Sequence, residues 1–314
     1  MRKTPIKTVV VATALLSLLL LAPGLGRTPA AKAAPSAAAA AVAAKPQIVL
    51  GTKNFTEEYI LGQLYKQALE AKGFHISYKE NIGSTEIITT ALTSGKINAY
   101  PEYTGEIVQT VFHTKSLPTS ANATYALAKK LENKHGYALF NRTPFSDTNA
   151  IVVTKATAAK YGLKSIADLK KIPNVKLGGL PECATRTNCL IGLRKVYGLK
   201  KLGFVPLAGI SSYAALNAGT VPVAIGFSTD PVLGKGSKYV VLPDVKHLFG
   251  FQNVAPIVSQ KLVSAYGPKL ATTMSAVSAL LTTPAMIAMN KAVAVDKQSP
   301  QAVAKAFLKA NHLG

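Results

Sequence analysis

From residue 45 to the C-terminus, short β-branched runs alternate with amphipathic stretches that close on glycine. That alternation leaves few folds open besides an α/β domain with a largely parallel sheet. Residues 47–51 predict a buried strand. After a turn at 52–55, residues 56–72 carry Ile60, Leu61, Leu64, Ala68 and Leu69 at helical spacing and stop at Gly73. Residues 75–79 return as a strand. A second helix opens at Gly83-Ser-Thr-Glu86, with Ser84 or Thr85 as N-cap, and ends at Gly95. Residues 97–100 predict the next strand, 121–133 an alanine-rich helix, and 149–154 another strand.

The pattern then restarts, with strands at 175–178, 221–227 and 239–242 and a helix at 190–197. Two similar units in tandem imply two lobes with a cleft between them. The last stretch, strand 252–258 and helices 270–281 and 300–309, is expected to cross back and complete the first lobe. The expected division is therefore 45–146 plus 253–314 for lobe one and 147–252 for lobe two, linked near 147–151 and 252–255.

The N-terminus is of a different kind. Arg2, Lys3 and Lys7 precede an apolar run over 9–21 that breaks at Pro23 and Gly24. A bilayer span wants about 20 apolar residues, so the run is expected to be an export signal rather than an anchor. Ala31-Lys32-Ala33 offers a small-x-small cleavage site, which gives a leader at 1–33 and an alanine-rich linker at 34–44. No cysteine follows the run to take a lipid. The expected location is outside the cytoplasm.

The two cysteines, Cys183 and Cys189, are six positions apart in a loop-like segment. In an oxidising compartment such a pair reads as a disulfide clipping a short loop. A zinc site would need two more ligands at suitable spacing, and a redox centre usually shows Cys-x-x-Cys. The formal charge is +22; five of the basic residues (Arg2, Lys3, Lys7, Arg27, Lys32) fall in the leader, and +22 less these five leaves +17. The remaining Lys and Arg are scattered singly or in pairs, so a solvated basic surface is expected rather than a nucleic-acid site. It suits an anionic envelope or an acidic medium.

A cleft between lobes can hold either a ligand or an active site. The five histidines occur singly, and there is no His-Glu-x-x-His, Gly-x-Ser-x-Gly or phosphate-binding Gly-rich loop. No catalytic residue, metal or cofactor is assigned, and an enzyme assembled only in space stays as the outside alternative. The loops 53–58 and 83–86 end strands and open helices, so their N–H groups can hold a carboxylate without a side-chain cation. The plainer reading makes Asn54, Ser84 and Thr85 simple caps.

Three motifs, Gly51-Thr-Lys-Asn-Phe-Thr-Glu-Glu-Tyr-Ile-Leu-Gly62, Gly83-Ser-Thr-Glu86 and Tyr100-Pro-Glu-Tyr-Thr-Gly105, resemble the solute-binding component of ABC importers for glycine betaine, choline, carnitine and related osmoprotectants. Gly192-Leu-Arg-Lys-Val-Tyr-Gly-Leu199, Ser228-Thr-Asp230 and Val254-Ala-Pro-Ile257 extend the resemblance over nearly the whole mature chain. It implies an α/β, two-lobed type II periplasmic-binding-protein fold that closes on its ligand by hinge motion and then docks on a permease. Self-association is not signalled, and a monomer is expected.

In that family a cage of tyrosines holds a quaternary ammonium through the negative ring faces. Carried over, Tyr103 matches a cage tyrosine and Glu86 its polar neighbour, while Asn149, Leu190 and Gln252 stand where rings are expected. The losses point to a different polar or amino-acid-like solute as the alternative to a betaine. Arg186, inside the Cys183–Cys189 loop, is placed to meet a ligand carboxylate; otherwise it is a surface arginine in a stapled loop. The expected binding set is Asn54, Phe55, Thr56, Ser84, Thr85, Glu86, Tyr103 and Thr104 from lobe one, Arg186 and Asp230 from lobe two, and Asn149 and Gln252 at the hinge.

Overall fold

The computed structural model describes residues 45–314 apart from 116, 209 and 210. The expected leader and linker lie outside the described residues. Among the described residues, ten strands form two five-stranded sheets. The first sheet takes β1 (Ile48–Gly51), β2 (Ile76–Lys79), β3 (Ala99–Tyr103), β4 (Tyr137–Leu139) and, from much later in the chain, β10 (Val254–Ser259). Its order is β2-β1-β3-β10-β4. The second takes β5 (Asn149–Thr154), β6 (Lys176–Gly179), β7 (Gly203–Pro206), β8 (Val223–Phe227) and β9 (Tyr239–Leu242), in the order β7-β6-β8-β5-β9.

The two sheets repeat one plan. In each, three parallel strands are followed by an antiparallel one, β10 beside β3 and β5 beside β8. That antiparallel strand is the first strand after the chain changes lobes. The crossings lie side by side: Ser146 bridges Asn253, and Asp147 N–H donates to the Gln252 carbonyl at 3.1 Å. The chain is thus two α/β lobes joined by a paired hinge, the architecture expected.

Helix α1 (Thr56–Ala71) buries Ile60, Leu61, Leu64 and Leu69 completely against β1, β3 and the C-terminal helices, where Met274, Met286, Val303 and Leu308 receive them. Each such side chain contributes about 1.5–3 kcal/mol by leaving water. A separate core fills lobe two around Ile151, Leu177, Leu193 and Val223 and includes both cysteines. Each lobe therefore has its own core, which lets the lobes move about the hinge as rigid bodies.

Strand β3 continues to Tyr103, three residues beyond the expected stop. Pro101 reads as a terminator because it cannot donate to a ladder. Here it faces Pro256 of β10 directly, so two residues without N–H groups oppose each other. Among the described residues, no single helix is long and apolar enough to cross a membrane.

Candidate functional site

The strand ends and helix starts of lobe one converge on the hinge. β1 delivers Lys53, Asn54 and Phe55, with Phe55 as N-cap of α1. Helix α2 (Thr85–Thr93) begins at Ser84, which is its N-cap by backbone but not by side chain. The Ser84 hydroxyl instead donates to Glu86 at 2.6 Å. β3 ends in Tyr103. Lobe two presents the Cys183–Cys189 loop, closed by a disulfide with Cα atoms 5.2 Å apart, and Phe227 at the end of β8.

Together these line a cavity of about 50 Å³ between the lobes. Of the expected binding residues, Asn54, Phe55, Ser84, Thr85, Tyr103, Asn149, Arg186 and Gln252 line it. The other four lie elsewhere. Thr104 is fully buried behind the wall, its hydroxyl given to the Phe251 carbonyl. Thr56 and Asp230 line neighbouring cavities, and Asp230 accepts from Phe227 N–H and the Tyr213 hydroxyl. Glu86 stands on the rim.

Arg186 crosses the cleft. Its Nε and Nη2 each donate to one oxygen of Glu86 at 2.9 Å, and Nη1 lies 3.6 Å from Glu106. Burial alone would raise the Glu86 carboxyl, but the hydrogen bonds from Arg186 and Ser84 and the Arg186 charge outweigh it and hold the group at about 2. Beside it Asn188 donates to Glu106 at 2.6 Å. On the opposite flank Thr229 donates its hydroxyl to Glu57 at 2.6 Å, and Asn290 donates to the Thr229 carbonyl at 3.3 Å. Both flanks are bridged, so the lobes stand closed.

Gln252 lines the cavity from the hinge, where its side chain is held in place. Its Oε1 accepts from Glu106 N–H at 3.0 Å, and a Cβ on Gly105 would lie 2.5 Å from its amide. Leu190, a cage position by resemblance, is buried in the lobe-two core. The rings come from elsewhere: Phe55 and Phe227 stack with centroids 5.6 Å apart and planes at 13°, with Tyr103 at 6.1 Å from Phe55. Phe227 does not appear in the sequence-based set, because its strand is recognisable but its direction into the cleft is not. The cavity loses tyrosines yet keeps three aromatic rings.

Lys53, also outside that set, is 4% exposed and pairs with Glu102 at 2.5 Å. Its ammonium sits 4.2 Å over the Tyr103 ring. Burial would lower the ammonium, but the charges of Glu102, Glu58 and Glu106 more than compensate and raise it. Its partner Glu58 is pushed up to about 8, first by burial, against the pull of Lys53. Burial, then the charges of Glu57 and Asp230, raise Asp147 well above the usual carboxylate range.

These carboxylates form a concentration. The chain has 14 Asp and Glu against 36 Lys and Arg. Eight of the acids gather here: Glu106, Asp147 and Glu182 line the cavity, Glu57 and Asp230 the adjoining one, and Glu58, Glu86 and Glu102 pair with Lys53 or Arg186. Among the described residues, the cations lining the cavity itself are Lys53 and Arg186. A basic protein thus gathers carboxyl groups and ring faces about one cleft, a lining suited to a cationic, weakly hydrated head.

Two lobes, a paired hinge and a closed polar cleft define the class of two-lobed solute receptors. The chain belongs to the family described as the substrate-binding domain of ABC-type glycine betaine transport systems, whose model matches residues 46–310. It is 29% identical over 287 residues to a glycine-betaine-binding protein of Pseudomonas aeruginosa, covering 88% of this chain and 91% of that one. It is 30% identical over 285 residues to the glycine betaine-binding protein YehZ of Escherichia coli, covering 85% and 91%. Solved structures agree in fold. A glycine betaine/carnitine/choline ABC transporter structure matches at TM-score 0.65 and 24% identity, over 85% of this chain and 99% of that one. Apo YehZ matches at 0.60 and 26%, with the same coverage.

Proposed function

We propose that the chain works outside the cytoplasm as the receptor of an ABC importer, taking a methylated-ammonium zwitterion of the glycine betaine and carnitine kind. The observation that carries this reading is the gathering of eight of fourteen carboxylates and three aromatic rings about one interlobe cavity. The relatives' names support it: two are glycine-betaine-binding proteins, and one from Listeria monocytogenes is a carnitine transport binding protein, 24% identical over 274 residues. They do not favour the alternative of a different polar solute. In this reading the cationic head lies against Phe55 and Phe227, and the anionic end turns to Lys53 and the start of α2.

Lobe one spans 45–146 and 253–314, lobe two 147–252, and both turn about the Ser146–Asn253 bridge. Ligand favours the closed state because only there do both lobes touch it. The closed receptor then presents itself to the permease, and no turnover is needed. Calorimetry with glycine betaine, carnitine and choline tests the assignment: saturable binding of at least one is expected, and failure of all three rejects it.

A further inference from the structure

On the far side of the Phe55–Phe227 stack is a second and much larger chamber of about 480 Å³. It shares Phe55, Leu180 and Phe227 with the inner cavity of about 50 Å³. Both lobes wall it, with Phe55 and Val295 on one side and Leu180, Phe227 and Val232 on the other. Among the described residues nine large apolar side chains stand exposed, and three of them, Leu180 at 36%, Val232 at 37% and Val295 at 49%, line this chamber. Apolar side chains exposed singly are ordinary; three converging on one hollow beside a ligand site mark a binding surface.

We infer that this chamber is a second subsite for the same ligand, so that the receptor takes amphiphilic zwitterions, a charged methylated-ammonium head carrying an apolar arm. The inference rests on the betaine-type reading of the inner cavity and names its substrate class more narrowly. The inner cavity has room for a small zwitterion only. Whatever extends from that head toward the Phe55–Phe227 wall meets the outer chamber next, since Phe55, Leu180 and Phe227 line both spaces. An arm lodged there touches Val232 and Val295, which belong to different lobes, so it adds to the contacts that exist only in the closed state. The shared walls are what assign the chamber to the solute rather than to a segment of the importer.

The test is calorimetry of the purified chain with glycine betaine, carnitine and the O-acyl carnitines from acetyl to octanoyl. Each methylene buried in the chamber is expected to tighten binding roughly threefold to fourfold until the space is filled. Val232→Asp combined with Val295→Asp, both at exposed positions the fold tolerates, is expected to flatten the series and leave the dissociation constant of glycine betaine within about twofold. A dissociation constant that stays level from carnitine to the octanoyl ester overturns the inference and leaves the chamber to a docking importer; so does a series that survives in the double variant. Glycine betaine bound with a level series removes only the outer subsite. No binding of glycine betaine or carnitine by the unaltered chain removes the functional reading and this inference with it.

Discussion

Arg186 and Glu86, a hundred residues apart in the chain, meet across the cleft in a two-pronged ion pair with both contacts at 2.9 Å. The arginine expected to grip a ligand carboxylate is engaged by the opposite lobe. The pair latches the closed state, and affinity should depend on it even if neither residue touches the solute. Glu86→Gln is therefore expected to weaken binding severalfold, and Arg186→Ala, which also loses Glu106, about tenfold. Small-angle scattering of both variants should show a larger radius without ligand. If Glu86→Gln leaves affinity unchanged while Arg186→Ala abolishes it, Arg186 is a direct ligand contact instead.

Phe227→Ala removes one wall of the candidate site and the partner of Phe55. With each ring contributing on the order of 0.5–2 kcal/mol to a held cation, about a tenfold rise in dissociation constant is expected. Phe227→Tyr should retain most of the affinity. Equal affinity in Phe227→Ala and the unaltered chain would place the cationic head elsewhere.

Gly192 stands where no side chain fits. A Cβ there would lie 2.0 Å from the Thr187 carbonyl oxygen, inside the loop that carries Arg186 and Asn188. Because the obstacle is backbone, it cannot rotate away. Gly192→Ala is expected to lower the melting temperature by several degrees and to weaken ligand binding, although residue 192 does not line the cavity. Thermal unfolding monitored by circular dichroism provides the check.

Glu58 and Glu132, both raised chiefly by burial, to about 8 and about 7, give stability a definite pH dependence. Unfolded, each ionises near 4.5. Between 4.5 and the raised value the folded chain holds protons that the unfolded chain has released, so stability falls as pH rises through that window. The slope is about 1.4 kcal/mol per pH unit for each group in that condition. Glu86 acts oppositely, losing stability only as pH falls from 4.5 toward about 2. The melting temperature is expected to peak near pH 5 and decline toward pH 8, and Glu132→Gln should flatten the decline. A melting temperature that rises from pH 5 to 8 would contradict the burial assigned to these groups.

Much of the fold was legible because burial writes itself into spacing. Strands 149–154 and 239–242 match the sequence reading to the residue, since β-branched runs between turn residues have no other use. The short helices Lys155–Tyr161 and Ser212–Asn217 were not read; each is under three turns and rich in alanine, with too few apolar positions to set a period. In the site, residues next to strand ends such as Phe55, Ser84 and Tyr103 were foreseeable. Lys53 and Phe227 were not, because their importance lies in partners far away in sequence, Glu102 for the one and Phe55 for the other. Gln252, expected at the hinge, has its side-chain oxygen held by Glu106 N–H, with its amide packed against Gly105.

The late arrival of β10 has a consequence for how the molecule is made. Strands β5 to β9 are contiguous in the chain, so lobe two can complete its sheet once residue 242 is free and its core once Leu248 and Phe249 follow. Lobe one cannot. Its sheet lacks the strand between β3 and β4 until residues 254–259 appear, and α1 is covered only by helices that come later still, the last of them Pro300–Ala310. In a chain that emerges N-terminus first, the half that begins earlier therefore finishes last. The cleft, which needs residues from both halves, is assembled only when the final helix has docked.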